Sequence, residues 1–157
     1  MALEIERKFL VKGGAWRGRG RSSRLRQGYL CATKERSVRV RVDGRAAFLT
    51  IKGPSRGAVR AEFEYRIPAR DAAALLALCE RPLIDKTRTR VRHAGLLWEI
   101  DEFHGDNAGL IVAEVELSRA DERVALPPWV GAEVTGDARY LNASLLRRPY
   151  RLWRPRR

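Results

Sequence analysis

Several things are scarce in this chain, and each scarcity excludes something. Among 157 residues there are two cysteines, Cys31 and Cys79. That is too few for a disulfide scaffold, and their spacing fits no metal or redox motif, so both are expected to be reduced, structural thiols. Long apolar runs are missing: the longest, Ala72 to Cys79, is far short of a bilayer span, and the N-terminus carries no apolar signal region. A soluble, cytoplasmic protein with no membrane partner is the expectation. The two histidines, His93 and His104, have no ligand-spaced partner and are expected at the surface or in loops. No linker or repeat divides the chain, which suits one domain, residues 1–157, able to bury a sizeable core.

Positive charge, by contrast, is abundant. A formal net charge of +13 points to an anionic partner: nucleic acid, an anionic membrane surface or a polyphosphorylated small molecule. Nearly all of the excess is arginine, a bias that a GC-rich genome can produce without functional demand. The placement of the charges therefore carries more information than their sum.

Eight segments alternate at period two, at about residues 3–11, 27–32, 37–43, 46–52, 59–67, 86–93, 96–103 and 110–117. Asp43-Gly44 and Ala94-Gly95 read as tight hairpin turns, with looser ones at Gly53-Pro54 and Gly105-Asp106-Asn107, so the pairing is expected to be mostly antiparallel. Asp71 is expected to cap a short helix running to Glu80, and Asp137 to begin one carrying Tyr140, Leu141, Leu145 and Leu146. Pro127-Pro128-Trp129 should break any regular element. Gly13 to Arg26, rich in Gly, Ser and Arg, reads as a mobile basic loop.

Successive strand residues face opposite ways, so each segment sorts its side chains onto two faces. One face carries Glu4, Glu6 and Lys8; Arg39 and Arg41; Thr50 and Lys52; Glu62, Glu64 and Arg66; Lys86, Arg88 and Arg90; Glu99 and Asp101; Glu114 and Glu116. The other carries Ile5 and Phe9; Val38, Val40 and Val42; Leu49 and Ile51; Phe63 and Tyr65; Trp98 and Ile100; Val115 and Leu117. A half-buried antiparallel sheet with a wet face explains the alternation. It does not explain why whole strands are all acid or all base. At an effective dielectric near 20, two like charges about 4 Å apart repel by roughly 4 kcal/mol, which several times over would rival a domain's whole stability of roughly 5–15 kcal/mol. Either these faces splay into water or something bridges them.

Eight antiparallel strands can close into a barrel with room for a small ligand. With the charged faces inward the barrel is a polar tunnel: carboxylates suit Mg²⁺ or Mn²⁺, and Arg and Lys suit phosphate oxygens. The apolar outer face then needs cover from the helices and the Trp129 segment.

The motifs Glu4-Ile-Glu-Arg-Lys8, Gln27-Gly-Tyr-Leu30, Val38-Arg-Val-Arg41, Leu49-Thr-Ile-Lys52, Glu62-Phe-Glu64, Lys86-Thr-Arg88, Trp98-Glu-Ile-Asp-Glu-Phe103 and Ala113-Glu-Val-Glu116 come in this order, each on an expected strand. Together they resemble the CYTH domain proteins, the triphosphate tunnel metalloenzymes, over nearly the whole chain. The resemblance implies an α+β, mainly β fold: an eight-stranded antiparallel β-barrel tunnel with a charged interior and a few flanking helices. It implies hydrolysis of a linear triphosphate with Mg²⁺ or Mn²⁺. By matching position, Glu4, Glu6, Glu114 and Glu116 would be metal ligands, and Glu62, Glu64 and Asp101 would hold a second ion or position water. Lys8, Arg39, Arg41, Lys52, Lys86 and Arg88 would cradle the phosphates, and Tyr29 is a candidate for proton transfer, against the plainer role of a packed aromatic.

The leading function is hydrolysis of a phosphoanhydride in inorganic tripolyphosphate. Within the family the alternatives are a thiamine or nucleoside triphosphatase or an adenylate cyclase; no aromatic box for a base is evident. From another class comes a non-catalytic basic barrel binding polyphosphate or RNA, which would have no use for inward acids. The Arg-rich stretch Arg17 to Arg26 and the tail Arg147 to Arg157 exceed what a tunnel needs. They are expected to be solvated rather than nucleic-acid binding, with the end from Trp153 to Arg157 disordered.

Overall fold

The computed structural model describes residues 3–153. All eight expected strands form: β1 (Leu3–Val11), β2 (Arg21–Ala32), β3 (Ser37–Asp43), β4 (Ala46–Lys52), β5 (Val59–Ile67), β6 (Ile84–His93), β7 (Leu96–Phe103) and β8 (Ile111–Glu116). They pair antiparallel in the order β5-β4-β3-β2-β6-β7-β8-β1, and β1 returns to β5 through Leu3, Ile5 and their partners Ala61 and Val59. The sheet is thus a closed eight-stranded barrel. Its tight hairpins turn on Gly44 and on Ala94-Gly95, all with positive φ, the conformation that primed turns demand.

The apolar strand faces point outward and are mostly covered, as the inward placement of charge requires; on β5 the expected cover is missing, and Phe63 and Tyr65 are exposed. Phe9, Trp98 and Val115 pack with Trp16 and Trp129 in one cluster, Trp98 and Trp129 meeting edge to face at 5.6 Å. A helix, α1 (Ala69–Leu78), lays Ala72 and Leu76 over Val40 and Ala47. A third cluster joins Ile84, Phe103 and Val112 to Tyr140 and Leu145. Phe103 is the register partner of Lys86, so this cluster stoppers one end of the tunnel itself.

Several details differ from the sequence reading. Only Gly13 to Gly20 lies outside the sheet, since β2 begins at Arg21 and pairs with β6 from Arg21 opposite Arg90 onward. Its alternation was hidden by arginine on the outer face, where Arg24 meets Asp85. Nor is the remaining turn loose: Trp16 is buried, and the Arg17 guanidinium lies 4.3 Å over its ring. A ninth strand, β9 (Val130–Glu133), follows Trp129 and pairs with the second half of β1; four residues are too short a run to show a period. Asp71 sits inside the first turn of α1, where the N-cap is Pro68, so it faces the helix dipole rather than capping. Asp137 does accept a bond from the Arg139 amide. It opens only a 3-10 turn, Ala138–Tyr140, before the chain straightens at Leu141 and α2 (Asn142–Arg147) starts. At the C-terminal end Trp153 packs against Tyr140 and Tyr150; the rest of the expected disordered end, residues 154–157, lies outside the described residues.

Gly20 holds β2 to β6 at close range: a Cβ there would fall 1.8 Å from the Arg90 carbonyl oxygen. Because that neighbour is backbone, it cannot rotate away. Gly20→Ala should lose about 2 kcal/mol or more and melt about 5 °C lower; an unchanged melting temperature would contradict this packing.

Candidate active site

Strand register builds the site. Glu6 faces Glu116 and Lys8 faces Glu114, Arg39 faces Thr50 and Thr50 faces Glu64, Lys52 faces Glu62, and Arg88 faces Asp101. The inward side chains enclose a cavity of about 180 Å³. Among its described lining residues seven cations (Lys8, Arg39, Arg41, Lys52, Arg60, Lys86 and Arg88) stand against four carboxylates (Glu4, Glu6, Glu114 and Asp137). Tyr29 is the one aromatic side chain among them.

Ten of the residues singled out from sequence therefore share one cavity: Glu4, Glu6, Lys8, Tyr29, Arg39, Arg41, Lys52, Lys86, Arg88 and Glu114. Four stand outside its lining. Glu62 lies 3.3 Å from Lys52, which is also 2.9 Å from Glu4. Glu64 accepts from the Thr50 hydroxyl and lies 3.8 Å from Arg39. Glu116 is exposed at the end of β8. Asp101 is fully buried behind the cations: Arg88 donates to both of its oxygens, at 2.8 and 2.9 Å, and Lys86 is 2.8 Å away.

Sequence reasoning missed a group of polar residues beneath the cations. Gln27, fully buried, accepts from Arg41 Nε at 2.8 Å and donates to the Tyr29 hydroxyl at 3.4 Å and to Asn142 at 3.1 Å. Asn142 also accepts from Lys86 at 2.9 Å. Lys8 donates to the Tyr140 carbonyl at 3.2 Å. Gln27 was findable as a polar residue on the inward face of its strand. Nothing local marks Asn142 or Tyr140, which reach the site through the long excursion after β8.

The electrostatics divide the cavity in two. Burial first, then Glu114 and Glu4, push the Glu6 carboxyl well above its ordinary value. Burial followed by Glu4 likewise raises Glu62, and Glu116, though exposed at its strand end, is raised by partial desolvation followed by Glu4. Burial would raise Glu114 and Asp101 as well, but Lys8 and Arg88 hold the first, and Arg88 and Lys86 the second, well below the carboxylate range. On the basic side, burial and the neighbouring Arg88 and Arg41 push Lys86 down to about 7 against the pull of Asp101. Arg41 is lowered by burial beside Arg39 and Arg88, and Arg39 Nε, buried, has no hydrogen-bond partner among the described residues. One side is short of a cation, the other of an anion.

Among the described residues no group of three or more Asp, Glu, His or Cys side chains stands ready to hold a metal ion. Two of the acids are instead drawn to a cation, Glu4 to Lys52 and Glu114 to Lys8, while Glu6 has no ion pair among the described residues.

A stability trend follows with a definite sign. A carboxyl raised in the folded state binds more protons there than in the unfolded chain, so stability falls as pH rises through the window above 4.5, the ordinary glutamate value. With divalent ions removed, the melting temperature should therefore drop from about pH 5 to about pH 7 through Glu6, Glu62 and Glu116. Below that window Asp101 and Glu114, held ionised by their partners, lose their contribution on protonation, and stability falls again. Melting in chelator across that range checks it; a rise from pH 5 to 7 would contradict the crowding of these acids.

The CYTH domain family matches residues 2–150. An inorganic triphosphatase of Acetivibrio thermocellus is 46% identical over 152 residues, 96% of this chain and 97% of that protein. One from Nitrosomonas europaea is 38% identical over 146 residues, 90% and 95% of the respective chains. A crystal structure of an inorganic triphosphatase superposes with a TM-score of 0.67 at 35% identity, covering 99% of this chain and 98% of that one. A charged tunnel with this order of motifs, and relatives aligned nearly end to end, place the chain in the CYTH domain family.

Proposed function

We propose that this chain is a divalent-metal-dependent inorganic triphosphatase that hydrolyses a terminal phosphoanhydride of tripolyphosphate inside the tunnel. The observation that carries the reading is the divided cavity: crowded cations short of an anion, beside crowded carboxylates short of a cation. A pure anion binder gains nothing from Glu4, Glu6 and Glu114 beside its ligand, since each would repel it; a metal-dependent triphosphatase requires both halves.

The family implies a divalent metal, and the donor set fits one, because burial and then the neighbouring Glu114 and Glu4 push Glu6 up, and a hard cation shared among the three would offset both. Glu4, Glu6, Glu114 and Glu116 would hold Mg²⁺ or Mn²⁺, with Glu62 and Glu64 available to a second ion or to water. When bound, such an ion neutralises phosphate oxygens and acidifies water. Asp101 is better assigned as the anchor of Lys86 and Arg88, since both its oxygens are already committed.

The remaining work falls to the chain's own residues. Lys8, Arg39, Arg41, Lys52, Lys86 and Arg88 bind and align the phosphates and stabilise the charge that spreads over their oxygens. Gln27 fixes Arg41 and receives none of the charge itself. The Tyr29 hydroxyl accepts from Gln27, which leaves its own proton free to move at the phenolic oxygen. Tyr29→Phe should lower kcat on tripolyphosphate by about 10²-fold with KM nearly unchanged; equal kcat would reduce Tyr29 to a packed aromatic.

Two relatives are named inorganic triphosphatases, and a lining with Tyr29 as its one aromatic side chain offers no second ring to sandwich a base. Base-free substrates are favoured on both counts. Part of the outer arginine is held in surface ion pairs, Arg17 with Glu102 and Arg151 with Asp106 among them, and nucleic acid is not the favoured partner. A cytoplasmic setting suits two free cysteines, and among the described residues no helix is long and apolar enough to cross a membrane. Steady-state rates on tripolyphosphate, thiamine triphosphate, ATP and pyrophosphate test the substrate: kcat/KM should be highest for tripolyphosphate, and a higher value for a nucleotide would move the function to another branch of the family.

A further inference from the structure

The excursion after β9 reaches back into the tunnel. Val134 N–H donates to the Lys8 carbonyl at 2.8 Å and the Thr135 hydroxyl accepts from Lys8 N–H at 2.9 Å, which holds the segment along β1. Tyr140 O then takes the Lys8 ammonium, and Asn142 arrives between Lys86 and Gln27. Asn142 lines the cavity.

The orientation of the Asn142 carboxamide is fixed by its neighbours. A lysine ammonium has only donors, so the atom 2.9 Å from Lys86 Nζ must be Oδ1, and the same oxygen accepts from Gln27 Nε2 at 3.1 Å. With Oδ1 doubly occupied, the carboxamide turns its Nδ2 group the other way, and that group makes no hydrogen bond to a described residue. A two-proton donor is thus held rigid at the stoppered end of a cavity whose lining cations outnumber its carboxylates. Its rigidity costs the substrate nothing, because Gln27 and Lys86 have already ordered it.

Resting on the functional reading above, we propose that Asn142 is a substrate-binding residue: its Nδ2 donates to a phosphoryl oxygen of the polyphosphate at the closed end of the tunnel, while its Oδ1 holds Lys86 in line for the same phosphate. The C-terminal excursion then forms part of the binding site as well as a stopper. A purely supporting role would use the oxygen alone.

Two variants separate these. Asn142→Asp keeps an acceptor for Lys86 and Gln27 but replaces the donor with a negative oxygen. Asn142→Leu keeps the size and loses both. Titration calorimetry with tripolyphosphate in chelator reads binding without turnover, and KM with Mg²⁺ reads it during turnover. The proposal expects both variants to weaken binding and raise KM, Asn142→Asp by about tenfold or more and Asn142→Leu by a smaller factor. Binding by Asn142→Asp within twofold of the wild type overturns the contact, whether or not Asn142→Leu is weakened, and if Asn142→Leu fails to fold the aspartate variant decides alone. Should the wild type neither bind nor cleave tripolyphosphate, the functional reading itself fails; a wild type that cleaves it while both variants match it defeats only the role of Asn142.

Discussion

Glu6→Gln should lower tripolyphosphate hydrolysis by about 10³-fold and, with divalent ions removed, should melt at a higher temperature than the wild type. The two effects have one cause. Burial, and then the neighbouring Glu114 and Glu4, push the Glu6 carboxyl well up, so ionising it costs stability as long as no cation is shared among the three. A neutral amide of the same shape removes that cost. It also removes the negative oxygen that a divalent ion would use, so the gain in stability and the loss of turnover should appear together. Tripolyphosphate binding in chelator should be retained or tightened, because one repelling charge has left the cavity. Steady-state kinetics, melting in chelator and calorimetry read the three effects; normal turnover by Glu6→Gln would remove Glu6 from the metal ligands, and a lower melting temperature would contradict the crowding.

The other large effect lies one layer deeper. Asp101→Asn should cost about 3–5 kcal/mol of stability, the usual loss when one partner of a buried ion pair is removed. Asp101 is fully buried and answers two buried cations at once, Arg88 through both oxygens and Lys86 at 2.8 Å. Without it, Arg88 keeps only Glu99, at 3.0 Å, and Lys86 is left with no carboxylate partner among the described residues, so Lys86, already pushed down to about 7, should lose its proton more readily still. A metal ligand would behave otherwise: its removal would spare the metal-free fold and abolish metal-dependent turnover. Urea denaturation in chelator separates the roles, with wild-type stability in Asp101→Asn counting against the anchor. Added tripolyphosphate should restore part of the lost stability, since phosphate oxygens would answer the same two cations.

How far the sequence could be read depended on what fixes each feature. Alternation is local, and so the shared faces of Glu4, Glu6 and Lys8, of Arg39 and Arg41, and of Glu114 and Glu116 were legible from spacing alone, whereas the closure of the eight strands with those faces inward rested on the resemblance of the ordered motifs. Depth is not local. Asp101 and Glu116 share the inward parity of Glu114, yet one is sealed beneath Lys86 and the other lies exposed at a strand end; only the barrel's stagger separates them. The start of β2 was obscured because arginines on its outer face make Arg21 to Arg26 look like a polar loop, although Leu25 is fully buried. Asn142 was illegible for a stronger reason: its place beside Lys86 depends on the path from β9 through a 3-10 turn to α2, which no periodicity announces.

The measurement that tests the account most directly is phosphorus NMR of tripolyphosphate incubated with the protein, with Mg²⁺, with Mn²⁺ and with chelator. The account predicts pyrophosphate and orthophosphate appearing one for one with either ion and no product in chelator. Tripolyphosphate left intact under every condition, while calorimetry shows it bound, would contradict a triphosphatase and leave a basic barrel that only holds polyphosphate.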